Sequence, residues 1–315
     1  MDSRAASAHS PIMIELDIAE AQIIGTRAEQ QDAATVVRLG DRGDAALLVL
    51  ADGLGGHADG AKAARIVVDT FRERASGGAF DEPEHSGRAL DEALQETNAR
   101  IRDASNPADG ERGMASTVVA AVIADGHLRW ISVGDSHLYV RRRGHLAKLN
   151  ADHSQAGMMI HDGYAPDAPA VLAARSMLAS ALGGHAIEHI DRSEAPVALA
   201  EGDVILLASD GLDVLSDADI ALVLGEGAEG GAGVARALID AVQALGLPRQ
   251  DNATVIVARV LGTGAPAAVD DALPAGVTRP GIGGTPEDTG SSWPLLAGLV
   301  LLAVVLLSVI MTQIP

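Results

Sequence analysis

A chain of 315 residues is long for one domain and short for three, which points to one large domain with appendages. Hydrophobic residues make up 48% of it, yet Phe, Trp and Tyr contribute only two each, so the core has to be built from Ala, Val, Leu and Ile. The formal charge of −20 speaks against a protein that grips a nucleic-acid backbone, and zero cysteine excludes disulfides, a thiolate zinc site and a cysteine nucleophile.

The first ten residues are small and polar, with no apolar stretch behind a basic start, so no secretory signal is expected and the body is expected to stay cytoplasmic. Runs of strand length and composition follow at 12–18, 46–50, 116–124, 128–133, 138–141, 204–208 and 254–260. Asp125-Gly126 and Arg143-Gly144 suit hairpin turns between them. Helical periodicity appears at 61–74, 88–103, 217–224 and 233–245; Ala89, Ala93, Leu94 and Ile101 share one side of the second. Ser216 and Asp219 read as a helix cap before the third. Locally paired strands with helices arriving in pairs predict an α+β fold, an antiparallel β-sandwich flanked by helix pairs in the order α-β-β-α.

Beyond the body, assigned to residues 1–261, a stretch rich in Gly, Pro, Ser and Thr at 262–293 reads as a flexible linker. Residues 295–314 carry no charge and, at about 1.5 Å per residue, reach roughly 30 Å, so a transmembrane anchor is expected over 294–315, with Trp293 at the interface. A single-pass C-terminal anchor in the cell membrane with a cytoplasmic catalytic body is the expected arrangement.

Aspartates gather where these strands stop. Asp52 follows ALLVL and Ala51, Asp210 follows VILLA and Ser209, and Asp135 follows WISV and Gly134. Asp251 lies just before TVIVARV, which an antiparallel neighbour would bring to the same rim, and Asp32 lies just before ATVVRL. One Asp-Gly alone is an ordinary hairpin turn. Five carboxylates at one rim cannot all ionise cheaply without cations among them, and an all-oxygen donor set suits hard ions, Mg²⁺ or Mn²⁺.

In order along about residues 12–260, the segments RAEQQD, ADGLGGH, GMASTVVAAVI, SVGDSHLYVRRRG, NADHS, MLASALGG, LASDGLDVLSD and RQDNATVIV resemble the motifs of the metal-dependent protein serine/threonine phosphatases. This is the PPM or type 2C-like family, in its bacterial form. The resemblance implies hydrolysis of phosphoserine and phosphothreonine on proteins at a dinuclear Mn²⁺ or Mg²⁺ site. Asp52 would bridge the two ions, the Gly53 carbonyl would bind one, and Asp210 and Asp251 would complete the other. Asp135 matches an aspartate associated with a third, weaker ion, Arg27 one that binds the substrate phosphate, and Asp32 one that holds metal-bound water. A hydroxide bridging the ions would attack phosphorus in line, with no covalent phosphoenzyme.

Two positions depart from the family pattern. Gln31 stands where a glutamate is usual, which lowers the charge of the second site, and Leu54 stands where many eukaryotic members carry a histidine acid. His57 is expected to be structural. The implied partners are phosphorylated proteins, including Ser/Thr kinases or their substrates, together with the membrane and without nucleic acid. A catalytically silent phosphoprotein-binding scaffold is the alternative that Gln31 keeps open. Rival motifs fail on their own terms: Gly53-Leu54-Gly55-Gly56-His57-Ala58 mimics a dinucleotide loop, but Asp52 would crowd a pyrophosphate and Glu73 lies in a helical pattern. Arg141, Arg142 and Arg143 read as a solvated hairpin end. In the 154–180 segment, where the family carries a variable flap, Met158, Met159 and Tyr164 are expected mainly to pack.

Overall fold

Apolar runs without polar alternation need cover on both faces if they are strands. The computed structural model, which describes residues 14–40, 43–55, 58–105, 113–175, 177–184, 186–225 and 229–263, supplies that cover with two antiparallel sheets between two layers of helix. The strands are β1 (Ile14–Ile23), β2 (Asp32–Leu39), β3 (Ala45–Leu54), β4 (Ala115–Ser116), β5 (Val118–Ala124), β6 (His127–Val133), β7 (His137–Arg142), β8 (His145–Lys148), β9 (Asp191–Arg192), β10 (Val197–Ala198), β11 (Val204–Ala208) and β12 (Ala253–Thr263). One sheet runs β1-β12-β11-β7-β8. The other runs β10-β6-β5-β3-β2, with β9 on β6 and β4 on β3.

Alternate residues of one strand serve different layers. In β3, Leu48 and Leu50 join Val119 and Ile123 against Leu138, Ile205, Leu207 and Ile256 between the sheets. Leu47 and Val49 face the other way, under Val67 and Phe71 of α1 (Ala58–Ser76) and Leu90 and Leu94 of α2 (Ser86–Ala104). On the far side, Leu206, Val255 and Val257 pack under α5 (Asp217–Gly225) and α6 (Gly230–Ala244) through Ile220, Leu238 and Ile239. The expected α-β-β-α order is therefore present among the described residues. Two short helices, α3 (Gln155–His161) and α4 (Pro169–Ala174), form a separate small cluster around Ala156, Val171 and Ala174 in the flap segment. Met159 packs against that cluster, whereas Met158 and Tyr164 are exposed.

Local chemistry accounts for the connections. Asp125 and Gly126 both take positive φ, 48° and 70°, as a two-residue turn between β5 and β6 demands. Ser216 and Asp219 exchange hydrogen bonds across the first turn of α5, the reciprocal cap expected from their spacing. The hairpin end at 141–143 departs from expectation, because Arg142 is buried and forks onto Asp203 at 2.6 Å and the Ala198 carbonyl at 2.7 Å. Its guanidinium is desolvated between sheets and needs those acceptors.

The linker at 262–293 and the anchor at 294–315 lie outside the described residues from 264 onward, as do the first 13 residues. Among the described residues no helix is long and apolar enough to cross a membrane. Because Leu48 is wholly enclosed between the sheets, Leu48→Ala should lower unfolding stability by about 2–5 kcal/mol, measured by urea titration followed by circular dichroism. A change under about 1 kcal/mol would contradict the tight packing of that layer.

Candidate active site

Antiparallel pairing brings many chain reversals to one pole of the sandwich. Ile23 at the end of β1 pairs with Ala253 at the start of β12, and Ala208 at the end of β11 pairs with both Val255 and His137. In the other sheet Asp32, the first residue of β2, stands directly opposite Asp52 of β3. At this pole the chain crosses between the sheets through 24–31, through 134–136 and again between β8 and β9. Asp32, Asp52, Asp135, Asp210 and Asp251 all lie here, so the rim expected from the strand ends exists. One detail differs: β3 continues to Leu54, which puts Asp52 inside the strand instead of past its end.

The carboxylates are held by a polar frame. Asp52 N–H donates to Thr117 Oγ1 at 2.9 Å, and the Asp52 carbonyl accepts from Ser116 Oγ and Thr117 N–H. Asp32 is buried; its Oδ2 accepts from Ser209 Oγ at 2.8 Å, a bond that ties one sheet to the other, while its Oδ1 has no partner. Asn252 organises the Arg27 loop by accepting from Gln31 N–H at 2.8 Å and donating to the Ile24 and Glu29 carbonyls. The glycines after Asp52 and Asp210 serve backbone packing. A Cβ on Gly53 would lie 1.9 Å from the Gly60 carbonyl oxygen, and one on Gly211 1.9 Å from that of Asn252.

Asp52, Asp135 and Asp210 are half-buried: each keeps an opening to solvent but is surrounded mainly by protein. Burial pushes Asp52 well above the usual carboxylate range, and the charges of Asp210, Asp32, Asp135 and Asp251 push it further. Asp210 is raised likewise, by burial and then by Asp135, Asp213, Asp251 and Asp32. Asp32 is pushed up to about 6, chiefly by burial. Asp135, raised by burial and by Asp152, reaches about 7. Arg27 forms an ion pair with Asp251 and is raised by it, so the guanidinium assigned to substrate phosphate rests on a carboxylate assigned to metal.

A second polar group adjoins Asp135. His137 Nε2 lies 2.6 Å from Asp213 Oδ1, and Lys148 Nζ lies 3.9 Å from Asp152 Oδ2 with its side chain buried. Despite burial, Asp152 is held below the usual range by Lys148 and His137. Thr117, Ser209, Asn252, Asp152 and Asp213 were not among the expected site residues. All five sit inside the motifs that carried the family resemblance, which was the available signal. His57 lies outside the described residues.

Among the described residues no three His, Asp or Glu side chains form a closed cage. The donor set nevertheless fits hard divalent cations: it is all oxygen, it includes an unpartnered buried Asp32 Oδ1, and its members are pushed up by burial and then by neighbouring carboxylates. A carboxylate whose folded pKa is raised takes up protons on folding, so stability grows as pH falls toward its unfolded value near 4. Asp32 and Asp135 act in this sense between about pH 7 and 5, Asp52 and Asp210 act in the same direction, and His153, lowered by burial, acts oppositely below 6.5. In chelator, the melting temperature should therefore rise as pH drops from 7.5 to 5.5, and saturating Mn²⁺ should flatten that slope. A melting temperature that falls with pH in chelator would contradict the assignment.

The Protein phosphatase 2C family model matches residues 22–229, more than half of the chain, a stretch that contains all of these residues except Asp251 and Asn252. The serine/threonine protein phosphatase PstP of Mycobacterium tuberculosis is 34% identical over 225 residues, covering 69% of this chain and 41% of PstP. The chain thus spans about two fifths of the length of that curated relative. The crystal structure of the Mycobacterium tuberculosis phosphatase PstP/Ppp superposes with a TM-score of 0.66 at 30% identity, over 79% of this chain and 100% of that one. The catalytic domain of PstP in complex with two manganese ions gives 0.65 at 29% identity, with the same coverage. On the family match, the shared fold and the ordered motifs at the acidic pole, this chain belongs to the protein phosphatase 2C family.

Proposed function

We propose that the chain is a metal-dependent protein serine/threonine phosphatase that hydrolyses phosphoserine and phosphothreonine at the acidic pole, with Mn²⁺ or Mg²⁺ as cofactor. The observation that carries this reading is the pair Asp52 and Asp210, pushed up by burial and then by the carboxylates around them, beside the Arg27–Asp251 ion pair at one pole. Asp52, Asp210, Asp251 and the Gly53 carbonyl would hold two ions, and Asp135 a weaker third. Bound there, divalent cations supply Lewis acidity and make hydroxide available near neutral pH.

The chain's own groups have complementary tasks. Arg27, planar and always charged, matches the phosphate oxygens with a fork of donors once Asp251 is no longer its sole partner. Asp32, whose Oδ1 is left unpartnered, would hold the attacking water and position it against phosphorus. Ser209 keeps the other oxygen of Asp32 fixed, so only one is available. Leu54, two residues past Asp52 on β3, offers no proton, so the departing alkoxide would be protonated by water or another group.

Asp52→Asn should lower hydrolysis of a phosphothreonine peptide with Mn²⁺ by on the order of a thousandfold while leaving the circular dichroism unchanged. The same variant should melt higher in chelator, because one repelling charge is gone. Wild-type turnover in Asp52→Asn would remove Asp52 from the site, and no metal-dependent turnover in the unaltered chain would favour the silent scaffold that Gln31 suggests.

We further propose that residues 294–315 anchor the chain in the cell membrane, with 262–293 as tether and the catalytic body in the cytoplasm, where phosphorylated proteins such as Ser/Thr kinases and their substrates are its partners. The uncharged run at 295–314 supports this. So does the course of β12, whose 11 residues lead from the acidic pole to Thr263, roughly 35 Å away, so that the tether departs from the end opposite the site. Deleting 294–315 should release the protein from sedimented membranes without changing peptide turnover; a truncated protein still pelleting with membranes would contradict the anchor.

A further inference from the structure

Arg27 is the group at the acidic pole that packing supports least. Its side chain is 57% exposed, and its ion pair is made with Asp251. Where the guanidinium sits therefore depends on the backbone that carries it, the connection 24–31 between the two sheets. Both ends of that connection are fixed by strand pairing. Ile23 pairs with Ala253 on one side, and on the other the Gln31 carbonyl accepts from Gly53 N–H at 3.1 Å just before Asp32 pairs with Asp52. Residues 24–30 in between belong to neither sheet.

That middle stretch is bonded to residues 250–252. The Asn252 side chain is buried and uses both ends of its amide. Its Oδ1 accepts from Gln31 N–H at 2.8 Å, and its Nδ2 donates to the carbonyls of Ile24 at 2.9 Å and Glu29 at 3.1 Å. The Ile24 carbonyl also accepts from Arg27 N–H at 3.4 Å, so Asn252 grips the turn on which Arg27 stands. Thr26 adds its N–H and Oγ1, both on the Gln250 carbonyl, at 2.8 Å and 3.1 Å. Gly25 takes φ of 63°, and a Cβ there would lie 2.3 Å from the Asp251 carbonyl oxygen, so the loop is laid directly on the segment that pairs with Arg27.

We propose that Asn252 is a positioning residue for the phosphate group: by bonding both ends of the 24–31 loop it holds the Arg27 guanidinium at the opening with its fork of donors already placed. The inference rests on the reading that Arg27 binds phosphate. A planar fork meets two oxygens only in a narrow range of orientations, and a loop that must first be ordered spends part of the binding free energy on that ordering. Alanine at 252 would strip partners from three backbone groups of the loop while leaving the strands at its ends paired. The metal-binding carboxylate beside it keeps its own support, because Asp251 Oδ1 accepts from the backbone N–H of residue 252, which any residue but proline supplies.

The test titrates phenylphosphonate, a non-hydrolysable phosphate mimic, into the full chain at saturating Mn²⁺ and follows the heat of binding. Asn252→Ala should weaken phenylphosphonate about tenfold and leave Mn²⁺ affinity no weaker. In an Arg27→Ala background the same substitution should add less than about twofold, because its effect runs through Arg27; a general loss of stability would instead add its full factor. Thr26→Val, which removes one hydroxyl bond between the same segments and keeps the side-chain shape, should weaken phenylphosphonate about threefold, and that loss should likewise vanish with Arg27→Ala; it carries the test if Asn252→Ala does not fold. Arg27→Ala that weakens binding while Asn252→Ala and Thr26→Val leave it unchanged overturns the positioning role. So does a loss that persists in full without Arg27, or one accompanied by weakened Mn²⁺ binding. Unchanged phenylphosphonate affinity in Arg27→Ala itself overturns the phosphate assignment of Arg27, and the role of Asn252 falls with it.

Discussion

The repulsion among carboxylates at one pole of the sandwich is the constraint around which the rest of the molecule is arranged. Asp32 and Asp52 stand opposite each other on neighbouring strands, where like charges destabilise pairing. Asp210 and Asp251 add charge from the other sheet. Such a rim persists in a folded chain because the layers beneath it are thoroughly buried: Leu47, Leu48, Val49, Leu50, Leu206, Leu207, Val255 and Ile256 are all fully enclosed. Stability supplied by the four-layer core offsets destabilisation at the site, and that residual unfavourable charge is what a divalent cation relieves.

The polar frame has a different job from the core. Thr117 holds the backbone at Asp52, Ser209 joins Asp32 across the sheets, and Asn252 fixes the Arg27 loop at three backbone groups. None of these side chains carries charge, so they place the carboxylates without neutralising them. Gly53 and Gly211 work alongside them, since any side chain there would drive apart the backbones that set the spacing. A site built this way has its geometry determined before any ion arrives, and Arg27 on Asp251 is its one internal cation–carboxylate contact at the opening.

The turn that carries Arg27 and the segment that carries Asp251 are adjacent because β1 and β12 are paired. Two parts of the acidic pole that lie 224 residues apart in the chain are thereby brought into contact.

Much of this was legible in the amino-acid order. Strand 204–208 was read with the ends it has, the four long helices were placed to within a few residues, and the cap at Ser216 and Asp219 followed from spacing alone. The aspartates stood out because a carboxylate beside a strand end is a local pattern. Strands β2 and β8 carry no period of their own, since ATVVRL and HLAK are too short or mixed, and they acquire their state from β3 and β7. The burial of Arg142 is likewise invisible along the chain, because it depends on Asp203, 61 residues away. Most element types and the family motifs are readable in the amino-acid order, because periodicity, composition and ordered motifs are properties of neighbours along the chain. That Asp32 faces Asp52, that Ser209 joins the sheets and that Arg27 rests on Asp251 belong to the folded molecule alone, because they depend on the register of β2 on β3, on the stacking of one sheet over the other, and on the pairing of β1 with β12 across more than 200 residues.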